Sequence, residues 1–175
     1  MEVILAQILG GIALVLVSIG YFLKSKAKFL LVQIVANLFY AGAFFVLNAY
    51  VGAILTTIST LRCVYIYYAE KLQWKHTFQF ILVFILCYVL VTIIFWQTPF
   101  DFMPLLTSTM FTIAFTIKDL QVMRYILIVP NVILVFYNIL VGTYASALLD
   151  LLEVIVIVIA IIKFSKAKIK EKKTS

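Results

Sequence analysis

The chain has little charge, one histidine, two cysteines and three prolines. About one residue in eight is charged, 12% of 175, where a soluble domain carries roughly a quarter. So few charges cannot dress a water-exposed surface, which excludes an ordinary soluble domain. Cys63 and Cys87 lie inside apolar runs, with no paired spacing and no histidine neighbour. They read as small apolar fillers, not as a disulfide or metal pair. The single histidine, His76, sits at an interfacial break and reads as solvated or facing lipid head groups. There is no Ser-His-Asp set, no HExxH, no CxxC and no phosphate-cradling glycine loop. An enzyme therefore has little to work with, no cofactor is expected, and ATP-driven action is not expected either.

What the chain has is apolar sequence, 66% of its residues, gathered into seven runs near the length of about 20 residues that a membrane helix needs. The expected spans are 3–23, 29–47, 50–68, 77–96, 102–117, 121–140 and 144–162. Asn48-Ala49 and Gly142 make very short turns, and Thr98, Pro99 and Asp101 interrupt the chain between spans four and five. The N-terminus, Met1-Glu2, lacks a basic region, so the first run is expected to be retained as a helix and not cleaved as a signal peptide. The formal charge is +7, but lysine and arginine crowd only the breaks after spans one, three, five and seven. That pattern is membrane topology, not a nucleic-acid surface. It puts the N-terminus outside and the C-terminus in the cytoplasm. Tyr65, Tyr67, Tyr68 and Trp74 suit the inner interface and Trp96 the outer one. The basic tail, 166–175 with Lys163 before it, reads as a topology anchor, or as a surface for anionic lipid or a partner.

Sliding the chain on itself by 94 residues sets Lys24 on Lys118, Asn37 on Asn131 and Tyr50 on Tyr144, and Gly10 on Pro104. Apolar matches are cheap in this composition, but polar and aromatic ones at matched depth are not. The expected architecture is an all-α membrane protein of seven transmembrane helices in a 3+1+3 arrangement: a first three-helix repeat (1–72), a linking helix (73–100) and a second repeat (101–165). One linking crossing makes the two repeats parallel, as in carriers that hold substrate near the midplane between halves. An old duplication that left only a packing scaffold is the competing reading.

Polar groups inside the spans are the candidate site. Asn37 and Asn131 lie halfway along spans two and six, with Gln33 one turn from Asn37 on the same face. They read either as substrate contacts or as interhelical glue, typically worth about 0.6 kcal/mol. Arg62, Asp150 and Glu153 are ionisable groups well inside spans three and seven. Each costs at least about 2.5–3.5 kcal/mol near the bilayer centre unless paired or wetted. An Arg62–Glu153 ion pair across the pseudo-twofold is expected. Asp150 shares a face with Glu153, so one carboxylate can hold a proton, and the trio forms a gating or coupling network or a static lock. Gly10-Gly11, Pro104 and Pro130 serve as hinges or, at glycine, as close-packing points.

The stretch Gln33-Ile34-Val35-Ala36-Asn37-Leu38-Phe39-Tyr40, then Ala49-Tyr50-Val51-Gly52-Ala53 and Thr60-Leu61-Arg62, resembles the YgjV-type bacterial inner-membrane proteins. So do Asp101-Phe102-Met103-Pro104-Leu105, Lys118-Asp119-Leu120 with Arg124, Tyr137-Asn138 and Gly142-Thr143-Tyr144. The likeness implies a multi-pass protein of the bacterial inner membrane. It also implies kinship with the SWEET, PQ-loop and nicotinamide-riboside carriers, although the proline-glutamine pair and a Trp-x-x-x-Asn motif are absent. The resulting expectation is a carrier of a small polar solute (a sugar, vitamin or nucleoside) working by alternating access, alone or as a homodimer. The alternative is a non-transporting binder or sensor that docks a protein partner through its tail.

Overall fold

The structure is a computed structural model that describes residues 2–73, 77–96 and 98–174, with side chains at 77, 78, 145 and 167–174 outside the description. The expected roles of Trp74 and His76 fall outside the described residues. Among those residues there are seven α-helices and no strand: α1 Glu2–Tyr21, α2 Lys26–Val46, α3 Tyr50–Leu72, α4 Thr77–Ile94, α5 Phe102–Thr116, α6 Leu120–Leu140 and α7 Tyr144–Thr174. Each expected span is one helix. By length and composition α1, α2, α3 and α6 are able to cross a membrane. Helix α5 has 15 residues, roughly 22 Å at 1.5 Å each. A single 3-10 turn, Pro99–Asp101, precedes it, and the Asp101 carboxylate accepts from the Thr98 amide at 2.8 Å.

Three local expectations change. The basic tail does not leave the helix: α7 runs on through Thr174. It contains no glycine or proline, its lysines are good helix formers, and cations suit a helix C-terminus. Pro104 lies in the first turn of α5, where its missing N–H has no intrahelical partner to lose, so it is not a mid-helix breaker matching Gly10. A Cβ added at Gly10 or Gly11 would meet nothing within 4 Å, so close packing does not explain them. Pro130 sits within α6 and removes the donor to the Ile126 carbonyl. The Asn131 side chain donates to the next carbonyl, Leu127 O, at 2.8 Å.

The two shortest turns share one hydrogen-bond pattern at the 94-residue offset. After α2, Ala49 N donates to Phe44 O at 2.9 Å and Asn48 N to Phe45 O at 3.1 Å. After α6, Thr143 N donates to Asn138 O at 2.8 Å and Gly142 N to Ile139 O at 3.1 Å. Both are Schellman closures, which need a left-handed residue just past the helix. Asn48 (φ 55°) and Gly142 (φ 80°) supply it, as the two residue types that tolerate that conformation best.

Helix α2 packs on α1 and α3, and α6 on α5 and α7; α1 meets α7, α3 meets α5, and α4 rests on α3 and α5. The buried core runs through Val17, Leu30, Cys63, Phe115, Leu127 and Ile161, one residue from each helix except α4. All six lie in the half of their helix nearer one end, the end that carries Lys24, Lys26, Lys71, Lys118 and Lys163 (the basic end). In the opposite half most buried positions are small, Ala6, Gly10, Ala43, Thr107 and Ala147, with Asn37, Asn131 and Tyr88 the larger ones, close to mid-helix. The helices interlock at the basic end and pack less deeply at the other.

Replacing Gly142 with alanine forces a Cβ into left-handed backbone and should cost about 1–2 kcal/mol. Asn48→Gly should be neutral or stabilising. Thermal unfolding in detergent checks both, and equal effects would contradict the turn assignment.

Candidate functional site

Two seams join the three-helix groups, and each carries a charged side chain. In the α1/α7 seam, the Tyr21 hydroxyl donates to Glu153 Oε1 at 2.6 Å. Helical side chains lean toward their N-terminus, so Tyr21, the last residue of α1, reaches back from the basic end to a carboxylate nearer mid-helix. The Asn131 amide interacts with the same hydroxyl. Tyr40 on α2 faces Glu153 and Asp150. Asp150, one turn further out, accepts from Asn138 Nδ2 at 2.6 Å. Asn138 in turn accepts from the Thr143 hydroxyl at 2.7 Å, within the α6–α7 turn.

In the α3/α5 seam, Arg62 Nη1 donates to Ser108 O at 3.2 Å and to Thr112 Oγ1 at 2.9 Å. Its guanidinium carbon lies 5.0 Å from the Phe115 ring centroid and 5.9 Å from that of Tyr88 on α4. Tyr88 is held by Ser59, hydroxyl to hydroxyl, at 2.9 Å. Phe115 stands where the 94-residue offset puts Tyr21. Thus the terminal aromatic of α1 reaches to α7, and that of α5 reaches to α3. The chain Tyr21–Phe29–Phe115, with centroids 5.7 and 5.6 Å apart, links the seams through the core.

The basic end is closed by crossed caps. The carbonyls at a helix C-terminus lack intrahelical donors. At the end of α1, Arg124 of α6 donates from Nε to Tyr21 O at 3.0 Å and from Nη2 to Leu23 O at 2.7 Å. Its Nη1 donates to Gln121 Oε1 at 3.0 Å, and the guanidinium lies over Phe164, 4.3 Å from the centroid. At the end of α5, Lys26 of α2 donates to Thr116 O at 3.3 Å and pairs with Glu70 of α3 at 2.9 Å. Both cations are buried. Each helix end is held by a cation from the other three-helix group.

The Imp-YgjV family, described as bacterial inner membrane proteins, matches residues 4–168. The chain belongs to that family. No curated protein and no solved structure matches. The location of this Imp-YgjV protein in the bacterial inner membrane follows from its family and agrees with its long apolar helices.

The expected site residues of the Imp-YgjV chain separate between the seams. Asn37 is buried and turns to α3, its amide 3.9 Å from Cys63 Sγ, while Gln33 donates to Asn37 Oδ1 at 3.5 Å. Asn131 turns to Leu127 O and Tyr21, so no bond joins the two amides. Arg62 and Glu153 form no ion pair; the one ion pair among the described residues is Lys26–Glu70. The reason is azimuth: Arg62 faces α5 and Glu153 faces α1. Asp150 and Glu153 do share a face, as expected. Sequence reasoning missed Tyr21, Tyr40 and Asn138 as partners, read Lys26 only as a topology charge, and named Arg124 only within the family-like stretch. A faint signal existed at Tyr21, an aromatic with a hydroxyl whose repeat mate is Phe115.

Truncating Arg124 to alanine leaves two helix-end carbonyls without donors, at about 1–3 kcal/mol each, so unfolding in detergent should register a loss of about 2–4 kcal/mol. Arg124→Lys should restore only part of it, because an ammonium lacks the fork that spans Tyr21 O and Leu23 O. A full rescue by lysine would show that charge alone holds this end.

Proposed function

We propose that this protein carries a small polar solute across the inner membrane by alternating access of two parallel three-helix repeats, α1–α3 and α5–α7, joined by α4 as the linking helix. In this reading all seven helices cross the bilayer. The basic end faces the cytoplasm, by the positive-inside rule, with the N-terminus outside. The matched turns at Asn48 and Gly142 support the duplication, and so does the correspondence of the α1/α7 seam with the α5/α3 seam. The observation that carries the function is the pair of crossed caps. Each repeat closes the other's first helix at the basic end, while the buried side chains toward the opposite end are mostly small. That is what an outward-facing carrier needs: one end latched between halves, the other free to admit solute.

Asn37 and Gln33 on α2, and Asn131 on α6, are the substrate contacts, at equivalent depths on the second helix of each repeat. Asp150 and Glu153 couple transport to protons. Neither has a basic partner among the described residues, and an unpaired ionised carboxylate is costly at this depth. The groups that act on Glu153 are Tyr21 from α1, which the Asn131 amide of α6 also touches, Tyr40 from α2 and Asp150 from its own helix. No turnover of a substrate belongs to this reading.

A docking protein is the second reading, favoured by the helical continuation of α7 into Lys168, Lys170, Lys172 and Lys173. Proteoliposomes offered a pooled mixture of polar metabolites, read by mass spectrometry, separate the two. A carrier accumulates at least one solute above empty vesicles, keeps doing so when residues 166–175 are removed, and loses it in Asn37→Leu, Asn131→Leu. Under an imposed pH gradient, the Glu153→Gln protein should lose the gradient-driven part of uptake. Failure to accumulate any solute, with a tail-dependent protein partner, would favour docking.

A further inference from the structure

We propose that Arg62, joined through Cys63 to Asn37 and Gln33, binds the carboxylate of the transported solute, and that the solute is a small 2-hydroxy or 2-amino acid. This assignment rests on the carrier reading and narrows its substrate class.

Arg62 is 3% exposed, yet its Nε–H has no acceptor. Both of its hydrogen bonds to oxygen leave from Nη1. Arg124, an equally buried arginine, donates from all three of its nitrogens. Native interiors leave few buried donors unmet, so the contrast marks a vacant edge on Arg62. Among the described residues no carboxylate forms an ion pair with it. The rings of Phe115 and Tyr88 attract a cation to their faces, but they offer no acceptor in the plane of the guanidinium fork. That fork matches a carboxylate with two parallel hydrogen bonds.

The neighbours extend the match. The Cys63 thiol interacts with Arg62 and is also the acceptor for Asn37 Nδ2, at 3.9 Å. Sulfur is a weak acceptor, so Asn37 Nδ2 has donor capacity to spare beside the arginine. Gln33 Oε1 is buried with no partner and supplies an acceptor one turn away. The cluster therefore offers one positive charge, two underused donor groups and one free acceptor. A carboxylate answers the first two, and a hydroxyl or ammonium on the adjacent carbon answers the third. Tyr21, Tyr40, Asp150 and Glu153 lie on the other seam and do not compete for Arg62.

The test compares solutes of one skeleton on the full-length protein in detergent. Lactate, lactamide and 1-amino-2-propanol differ only in carrying a carboxylate, an amide or an amine. Alanine and larger 2-hydroxy acids extend the series, and chloride and phosphate control for inorganic anions. The expected result is a dose-dependent rise in unfolding temperature with the carboxylates and none with the amide, the amine or the inorganic ions. Arg62→Gln should abolish the response. Arg62→Lys, which keeps the charge and the fold, should weaken apparent affinity at least about tenfold, since a charged hydrogen bond is lost. Equal shifts with lactamide or chloride, a wild-type response in either variant, or no shift with any carboxylate would overturn the assignment. Uptake of neutral polyols with no carboxylate response would remove the carboxylate site and leave the carrier standing. Carboxylate binding at Arg62 without uptake of any solute would do the reverse.

Discussion

A carbonyl at the end of a helix has no donor from its own helix, and in a low-dielectric interior it must find one elsewhere. The arrangement of this protein depends on how that need is met at the ends of α1 and α5. The donors come from Arg124 and Lys26, cations on the second helices of the opposite groups. The choice ties folding to the relation between the two groups. They cannot separate at the basic end without exposing carbonyls and stranding two buried cations. Water from the adjoining interface can replace both sets of bonds, so separation is costly without being forbidden.

The seams above the caps follow the same geometry with unlike chemistry. Tyr21 and Phe115 occupy equivalent positions, but one carries a hydroxyl to Glu153 and the other a ring to Arg62. Two aromatics at one offset thus attend a carboxylate in one seam and a guanidinium in the other. Opposite charges that pair would lock the halves together. Here they face different helices, and among the described residues neither is met by an opposite charge: the Tyr21 hydroxyl bonds the carboxylate, and Thr112, Ser108 and two rings attend the guanidinium. Charges left in that condition are open to ligands and to protons, and the proposed carrier function rests on that.

Much of this was legible in the sequence. The seven helices could be read because apolar runs are long and their breaks hold lysine, asparagine, glycine and proline. A 94-residue offset could be read because Lys24, Asn37 and Tyr50 recur on it, and the turns at Asn48 and Gly142 close with the same hydrogen bonds at that spacing. An offset gives depth along the helix but not the direction a side chain faces. That is why Arg62 and Glu153 looked like partners and are not, and why Asn37 and Asn131 looked convergent yet turn to different neighbours. Lys26 and Arg124 sit among other basic residues, so their charge could be counted while their crossed contacts could not. Helix α7 outran its expected end because a basic sequence without glycine or proline stays helical after its hydrophobicity stops.

The most direct test of the latch between halves is a pair of distances measured by spin labels on a cysteine-free background. One pair sits at Lys24 and Lys118 on the basic end, the other at Tyr50 and Tyr144 on the opposite end. In the intact protein the basic-end pair should give one narrow distance. With Arg124→Gln and Lys26→Gln together, the account predicts that the basic-end distance lengthens while the opposite-end distance shortens. Distances that stay fixed at both ends, or that loosen at both ends together, would contradict a latch between two moving halves.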